Sequence, residues 1–207
     1  MNPYVELPVR ATVAFLSVLL CALAVAAFAG AREHKSADAI ATLAPSANES
    51  RAAFLQVHKV FTSPRCQNCH PAGDAPLQGE DSHLHAQFVK RGGDGHGLYG
   101  MRCNTCHQAA NTAGENMPPG NPKWGLPPPE HKMVFVGRTP SQLCRQLKDP
   151  KQTGGRTLAQ LLKHVSTDDL VAWGWDPGDG RTLPPLSRAD TVAQMKIWID
   201  GGAACPQ

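Results

Sequence analysis

Two short stretches hold the residues able to do chemistry: Cys66-Gln67-Asn68-Cys69-His70 and Cys103-Asn104-Thr105-Cys106-His107, with residues 71–102 between them. Two thiols separated by two residues have three uses. As thiolates they bind zinc, and two such pairs would supply a tetrahedral site. As a dithiol they exchange with disulfides. They also add across the two vinyl groups of haem. Each S–H then adds over a C=C bond, a thioether forms and nothing leaves. The histidine directly after each pair separates these uses, because it belongs to the haem-attachment pattern and brings an imidazole to the iron. Neither zinc binding nor exchange explains it, and the stretch from Cys69 to Cys103 is longer than zinc-binding pairs commonly show. The expected cofactors are two covalently bound haem c groups. Cys66, Cys69, Cys103 and Cys106 attach them, and His70 and His107 are the proximal iron ligands.

Each iron then needs a ligand opposite its histidine, or keeps an open position. Met/His ligation raises the potential relative to His/His, and an open position permits small-molecule chemistry. Four residues are candidates. Met133 follows a run of prolines that can hold its sulfur in place, and Met117 directly precedes Pro118. His85 lies between the two motifs, and His164 flanks the apolar face of an expected helix. Each has an ordinary alternative, core filling for a methionine and a surface or hydrogen-bonded role for a histidine. His83, His96 and His131 rank lower. Trp124, Trp173 and Trp175 could line haem edges, and Arg91, Arg102 or Arg181 could pair with propionates. Packing and solvated charge serve equally well for these.

The elements that must position these groups read as helices joined by loops. Phe54, Leu55, Val57, His58 and Phe61 give helical periodicity from about Ser50 to Pro64, so a short amphipathic helix delivers the chain into the first motif. Residues 71–100 are Gly-rich and mostly loop, with a short helix possible over Ser82–Val89. The stretch "MPPGNPKWGLPPPEH" must be extended or turning, since proline lacks an amide hydrogen and fixes its own backbone. Three helices follow. One is capped by Thr139 with Gln142 three residues on, and another by Thr157 with Gln160. The last starts at Ser187, shows Val192, Met195, Trp198 and Ile199 on one face, and ends at Gly201-Gly202. No segment alternates long enough to be a strand.

Composition sets the frame. The 207 residues are 42% hydrophobic, but only 6% are aromatic, and 19 Gly and 18 Pro make the chain loop-rich. Such a core gains from a large apolar group to pack around. A net charge of +3 and the absence of a basic run exclude a nucleic-acid footprint. Residues 11–30 carry no charge, follow Arg10, and contain the small-x-small site Ala27-Phe28-Ala29. They read as a secretory signal peptide or, at about 20 apolar residues, as a membrane anchor. Either places the rest outside the cytoplasmic membrane, in the periplasm, soluble or anchored. Of the seven Cys, Cys21 falls in this segment and four in the motifs. Cys144 and Cys205 remain and favour a disulfide in an oxidising compartment, with two separate buried thiols as the alternative.

With its two CxxCH motifs behind an export segment, the chain resembles a dihaem c-type cytochrome. Over residues 50–207 the helix before the first motif and the C-terminal "TVAQMKIWIDGGA" resemble the first and last helices of class I cytochromes c. "CRQLKDPKQTGGRTL" and "WGWDPGDGR" resemble bacterial proteins labelled as isoquinoline 1-oxidoreductase subunits, which implies a molybdenum hydroxylase as redox partner. No separate cysteine set for an iron–sulfur cluster accompanies that likeness, so the cytochrome chemistry is what it carries over. The expectation is a mainly α, loop-rich, cytochrome c-like fold with two haems in one shared domain. Residues 1–29 form the signal or anchor, 30–48 a linker and 49–207 the domain. The expected role is passage of single electrons between an oxidoreductase partner and a respiratory acceptor. The alternative is a peroxidase-like enzyme with one open iron.

Overall fold

The computed structural model describes residues 44–207, which form one compact unit. The apolar segment over 11–30 lies outside the described residues. Among the described residues no helix is long and apolar enough to cross a membrane.

The first helix, α1 (Ala47–Phe61), begins earlier than its apolar periodicity suggests. Ser46 accepts from the Glu49 amide and the Glu49 carboxylate takes the Ser46 amide, so two orphan donors of the first turn are satisfied reciprocally. The helix thus reaches into the segment read as linker. Its buried line is Ser50, Ala53, Phe54, Val57, Val60 and Phe61, whereas Leu55 faces outward at 40% exposure. A single turn, α2 (Pro64–Gln67), follows and carries the chain into the first motif.

Residues 71–139 contain little regular structure. Strands β1 (Leu77–Gln78) and β2 (His83–Leu84) pair antiparallel, as do β3 (Gly97–Leu98) and β4 (Met101–Arg102). The helix expected over Ser82–Val89 is absent. Ser82 and Phe88 take left-handed backbone conformations, at φ 56° and 54°; Ser82 closes the turn of the first hairpin and Phe88 lies beyond its second strand. Such residues cannot propagate a right-handed helix.

The later helices follow their caps. They are α3 (Pro140–Lys148), α4 (Pro150–Thr153), α5 (Leu158–Thr167), α6 (Asp169–Ala172) and α7 (Arg188–Asp200). Reciprocal capping boxes start α3 at Thr139 and α5 at Thr157. Pro150 ends α3 and also opens α4, because proline suits the first turn of a helix, where its missing N–H costs nothing.

The mainly α core forms where α1 packs across α7, with α3 and α5 on its flanks. Phe54 and Trp198, both fully buried, meet with ring centroids 4.9 Å apart. Ser50 joins the two ends: its hydroxyl donates to the Trp198 carbonyl at 2.7 Å and accepts from the Ala204 amide at 3.0 Å. Cys144 on α3 and Cys205 beyond α7 form a disulfide, Cα atoms 5.5 Å apart. It fastens the chain end to the bundle.

Candidate functional site

Both CxxCH stretches coil into one tight turn. In the first, the Cys69 amide reaches the Cys66 carbonyl at 3.2 Å and the His70 amide reaches Gln67 at 3.0 Å. In the second, a 3-10 turn over Cys103–Thr105, the Cys106 and His107 amides bond to the Cys103 carbonyl at 3.2 and 2.9 Å. Residues three apart on such a turn share a face, and Cys66 and Cys69 both line one cavity. All four thiols are free.

The two histidines are dressed alike. His70 Nδ1–H donates to the Met133 carbonyl at 2.8 Å, and Phe135 stacks on the ring at 4.0 Å and 15°. His107 Nδ1–H donates to the Pro119 carbonyl at 2.8 Å, and Trp124 stacks at 4.6 Å and 12°. A carbonyl at Nδ1 selects the tautomer with a free Nε2 lone pair, the arrangement a metal-binding imidazole needs. Burial pushes the His70 pKa down to about 4, against the opposing pull of the Met133 carbonyl. His107 is lowered by burial too, opposed by the Pro119 carbonyl.

The first motif opens on a cavity of about 560 Å³, within the range of roughly 300–1,000 Å³ of cofactor sites. Its lining includes Cys66, Cys69 and His70, with Leu161, His164 and Val165 of α5 and the tryptophans Trp173 and Trp175. Burial pushes the Cys66 thiol up to about 12 and Cys69 to about 11. Thiols that exchange with disulfides need the opposite, a lowered pKa. Cys103 stands near enough to add to the upward push on Cys69, so the two motifs are neighbours in space. No three His, Cys, Asp or Glu side chains converge on a metal position among the described residues. The four thiols therefore do not assemble a single tetrathiolate zinc centre. Each motif instead keeps its own donor set, two thiols and a following histidine, the set a covalent haem would use.

The candidate opposite ligands divide between the sites. His85 faces His107, ring centroids 6.2 Å apart and planes crossed at 65°, and its Nδ1 is buried without a partner. Burial lowers its pKa, and the nearby His107 adds to this. His164 lies on the cavity wall of the first site and is half exposed, 3.6 Å from Asp168. Met133 lines the same cavity, held through its own carbonyl at the Nδ1 end of His70. Met117 is 42% exposed, and its carbonyl accepts from Arg181 at 2.6 Å. His83 pairs with Asp81, and His96 bonds to the Trp124 carbonyl.

The three arginines considered for propionates are already engaged. Arg102 grips Asp94, Arg181 holds the Met117 and Pro177 carbonyls, and the buried Arg91 clamps Gly73 to Pro127 of the cavity wall. Buried Nε groups without a hydrogen-bond partner remain on Arg65, Arg91 and Arg138, and of these three only Arg65 lines the cavity. Its Nη2 binds Glu80 at 2.6 Å. Its position directly before Cys66 was the available sequence signal. Trp173 and Trp175 spend their indole N–H groups on Asn111 and the Leu186 carbonyl. Asn111 carried no sequence signal at all. No family model matches this chain, and no curated protein or solved structure matches it.

Proposed function

We propose that this chain is an exported dihaem c-type cytochrome of class I-like fold, passing single electrons between an oxidoreductase partner and a respiratory acceptor. The observation that carries the reading is the duplication of one arrangement within one compact unit. Each motif turn carries two thiols, and each following histidine gives Nδ1–H to a carbonyl while an aromatic ring covers its face.

When bound, each haem supplies a one-electron couple whose potential follows axial ligation, burial and hydrogen bonding. The chain's own residues do the rest. Cys66 and Cys69 tether one group and Cys103 and Cys106 the other, and His70 and His107 present Nε2. The His85 ring is the partner for His107. Two imidazole nitrogens that share a metal at about 2 Å each put their ring centroids roughly 6 Å apart, the spacing observed. His164 is the partner for His70 across the cavity. Met133 serves through its carbonyl, at the end of His70 remote from Nε2. Phe61, Leu161, Val165 and Met195 give the first group apolar surface to pack against. Proximity of Cys69 to Cys103 favours two groups in close succession, a short wire. The disulfide suits an oxidising compartment, in keeping with export. The redox partner follows from the resemblance alone and is a molybdenum hydroxylase.

The test is pyridine haemochrome analysis of the protein purified from an export-competent host, with spectra of single variants. Two haems per chain are expected, both low-spin and indifferent to carbon monoxide. His85→Ala and His164→Ala should each make one haem high-spin and able to bind carbon monoxide, while Met133→Leu and Met117→Leu leave both low-spin. Fewer than two attached haems sinks the reading, and a high-spin haem in the unaltered protein that turns over peroxide replaces it with the enzyme alternative.

A further inference from the structure

Trp173 stands in the wall of the first cavity, yet two separate routes tie it to the second site. Its ring meets Trp124 at right angles, centroids 4.8 Å apart, and Trp124 lies flat on His107. Its Nε1–H donates to Asn111 Oδ1 at 2.9 Å, and the same oxygen accepts the Gly120 amide at 3.0 Å. Gly120 adjoins Pro119, whose carbonyl takes the Nδ1 proton of His107. One indole therefore bears on both the face and the Nδ1 partner of a histidine in the other site.

Neither route has slack. Asn111 is anchored on its other side by its Nδ2, which donates to the Asp176 carbonyl at 3.2 Å. A Cβ on Gly120 would fall 2.0 Å from the Ala110 carbonyl oxygen, so this turn closes only with glycine. The first site lacks such a link. Its ring plate, Phe135, stacks on Phe61 of the helical core at 5.0 Å and 9°.

We propose that Trp173 is a positioning residue for the second site. Through Trp124 it fixes the ring plane of His107, and through Asn111 it fixes the Pro119 carbonyl that sets the basicity of that imidazole, so the first cavity's wall tunes the second iron. This rests on the dihaem reading. The chemistry is general. A strong Nδ1–H···O bond makes an imidazole more basic and favours the oxidised metal. The His85 and His107 rings cross at 65°, and if both held a low-spin ferric iron that angle would govern its g-anisotropy.

The experiment uses the full holoprotein and reads electron paramagnetic resonance and redox titration together. His85→Ala first marks which signal and which midpoint potential belong to the second site. Trp173→Phe keeps a ring against Trp124 and removes the N–H, and it should raise the second potential with little change in g-anisotropy. Trp173→Leu removes both routes and should shift the second signal's g-anisotropy as well. Asn111→Ser, which leaves the lining of the first cavity unchanged, should reproduce the potential shift if Trp173→Leu folds poorly. Two attached haems whose second signal and potential stay at the unaltered values in Trp173→Phe and Asn111→Ser overturn the coupling alone. Fewer than two covalent haems in the unaltered protein overturns the dihaem reading and this inference with it.

Discussion

At the scale of single residues, charge pairs outside the motifs hold the loops that present them. Arg102 directly precedes Cys103 and binds Asp94 through two nitrogens, at 3.1 and 2.8 Å, while the Asp94 carboxylate also accepts the His96 amide at 2.9 Å. The Arg102 guanidinium, with the His96 amide second, holds the Asp94 carboxyl well below the usual range, to about 2. An ordinary aspartate titrates at about 3.9. The folded pKa is therefore depressed, and the stabilisation is complete above pH about 4 and lost as pH falls through about 2. Asp94→Asn should flatten the acid limb of the thermal midpoint between pH about 4 and 2, relative to the parent. An unchanged limb would mean this exposed pair contributes nothing, as many surface pairs do.

At the scale of elements, the crossing of α1 and α7 is the joint on which both ends of the chain depend. Gly201 ends α7, and a Cβ placed there would lie 2.7 Å from the Ser50 Cβ and 3.1 Å from the Pro45 carbonyl. Ser50 is fully buried and bonded to both Trp198 and Ala204, so it cannot move aside without breaking those bonds. Gly201→Ala should therefore destabilise by about 1–3 kcal/mol, the usual cost of overpacking. Denaturant midpoints check this. Because the joint lies away from both motifs, the haem content of the folded fraction should equal that of the parent protein.

At the scale of the whole molecule, residues 71–139 have almost no regular structure, so the motifs are held from outside. The helices form one wall, and Arg91 clamps the loop after the first motif to the Pro-rich stretch. The Cys144–Cys205 disulfide closes a separation of 61 residues, a stretch that supplies His164, Trp173 and Trp175 to the cavity. Loop-closure entropy assigns such a bridge about 4 kcal/mol. Replacing both cysteines by alanine should lower the unfolding free energy by that order, measured by guanidinium titration. A loss under about 1 kcal/mol would mean that the helical packing alone holds the chain end.

The residues legible in the sequence are those whose meaning is local. CxxCH is a five-residue pattern, and the caps at Thr139 and Thr157 act over three residues, so both could be read directly. Bookkeeping of the remaining thiols pointed to Cys144 with Cys205. The Ser46–Glu49 cap was equally local, but polar and small neighbours concealed it as linker. The hairpin at residues 77–84 carries no sequence signal because the left-handed conformation at Ser82 comes from turn geometry and not from residue type. What only the tertiary structure decided is which distant groups face each histidine. His85 against His107, Met133 by its carbonyl at His70, and the Trp173–Asn111–Gly120 tie are contacts between chain segments joined by loops. In such loops, periodicity carries no signal, and direction is set by packing.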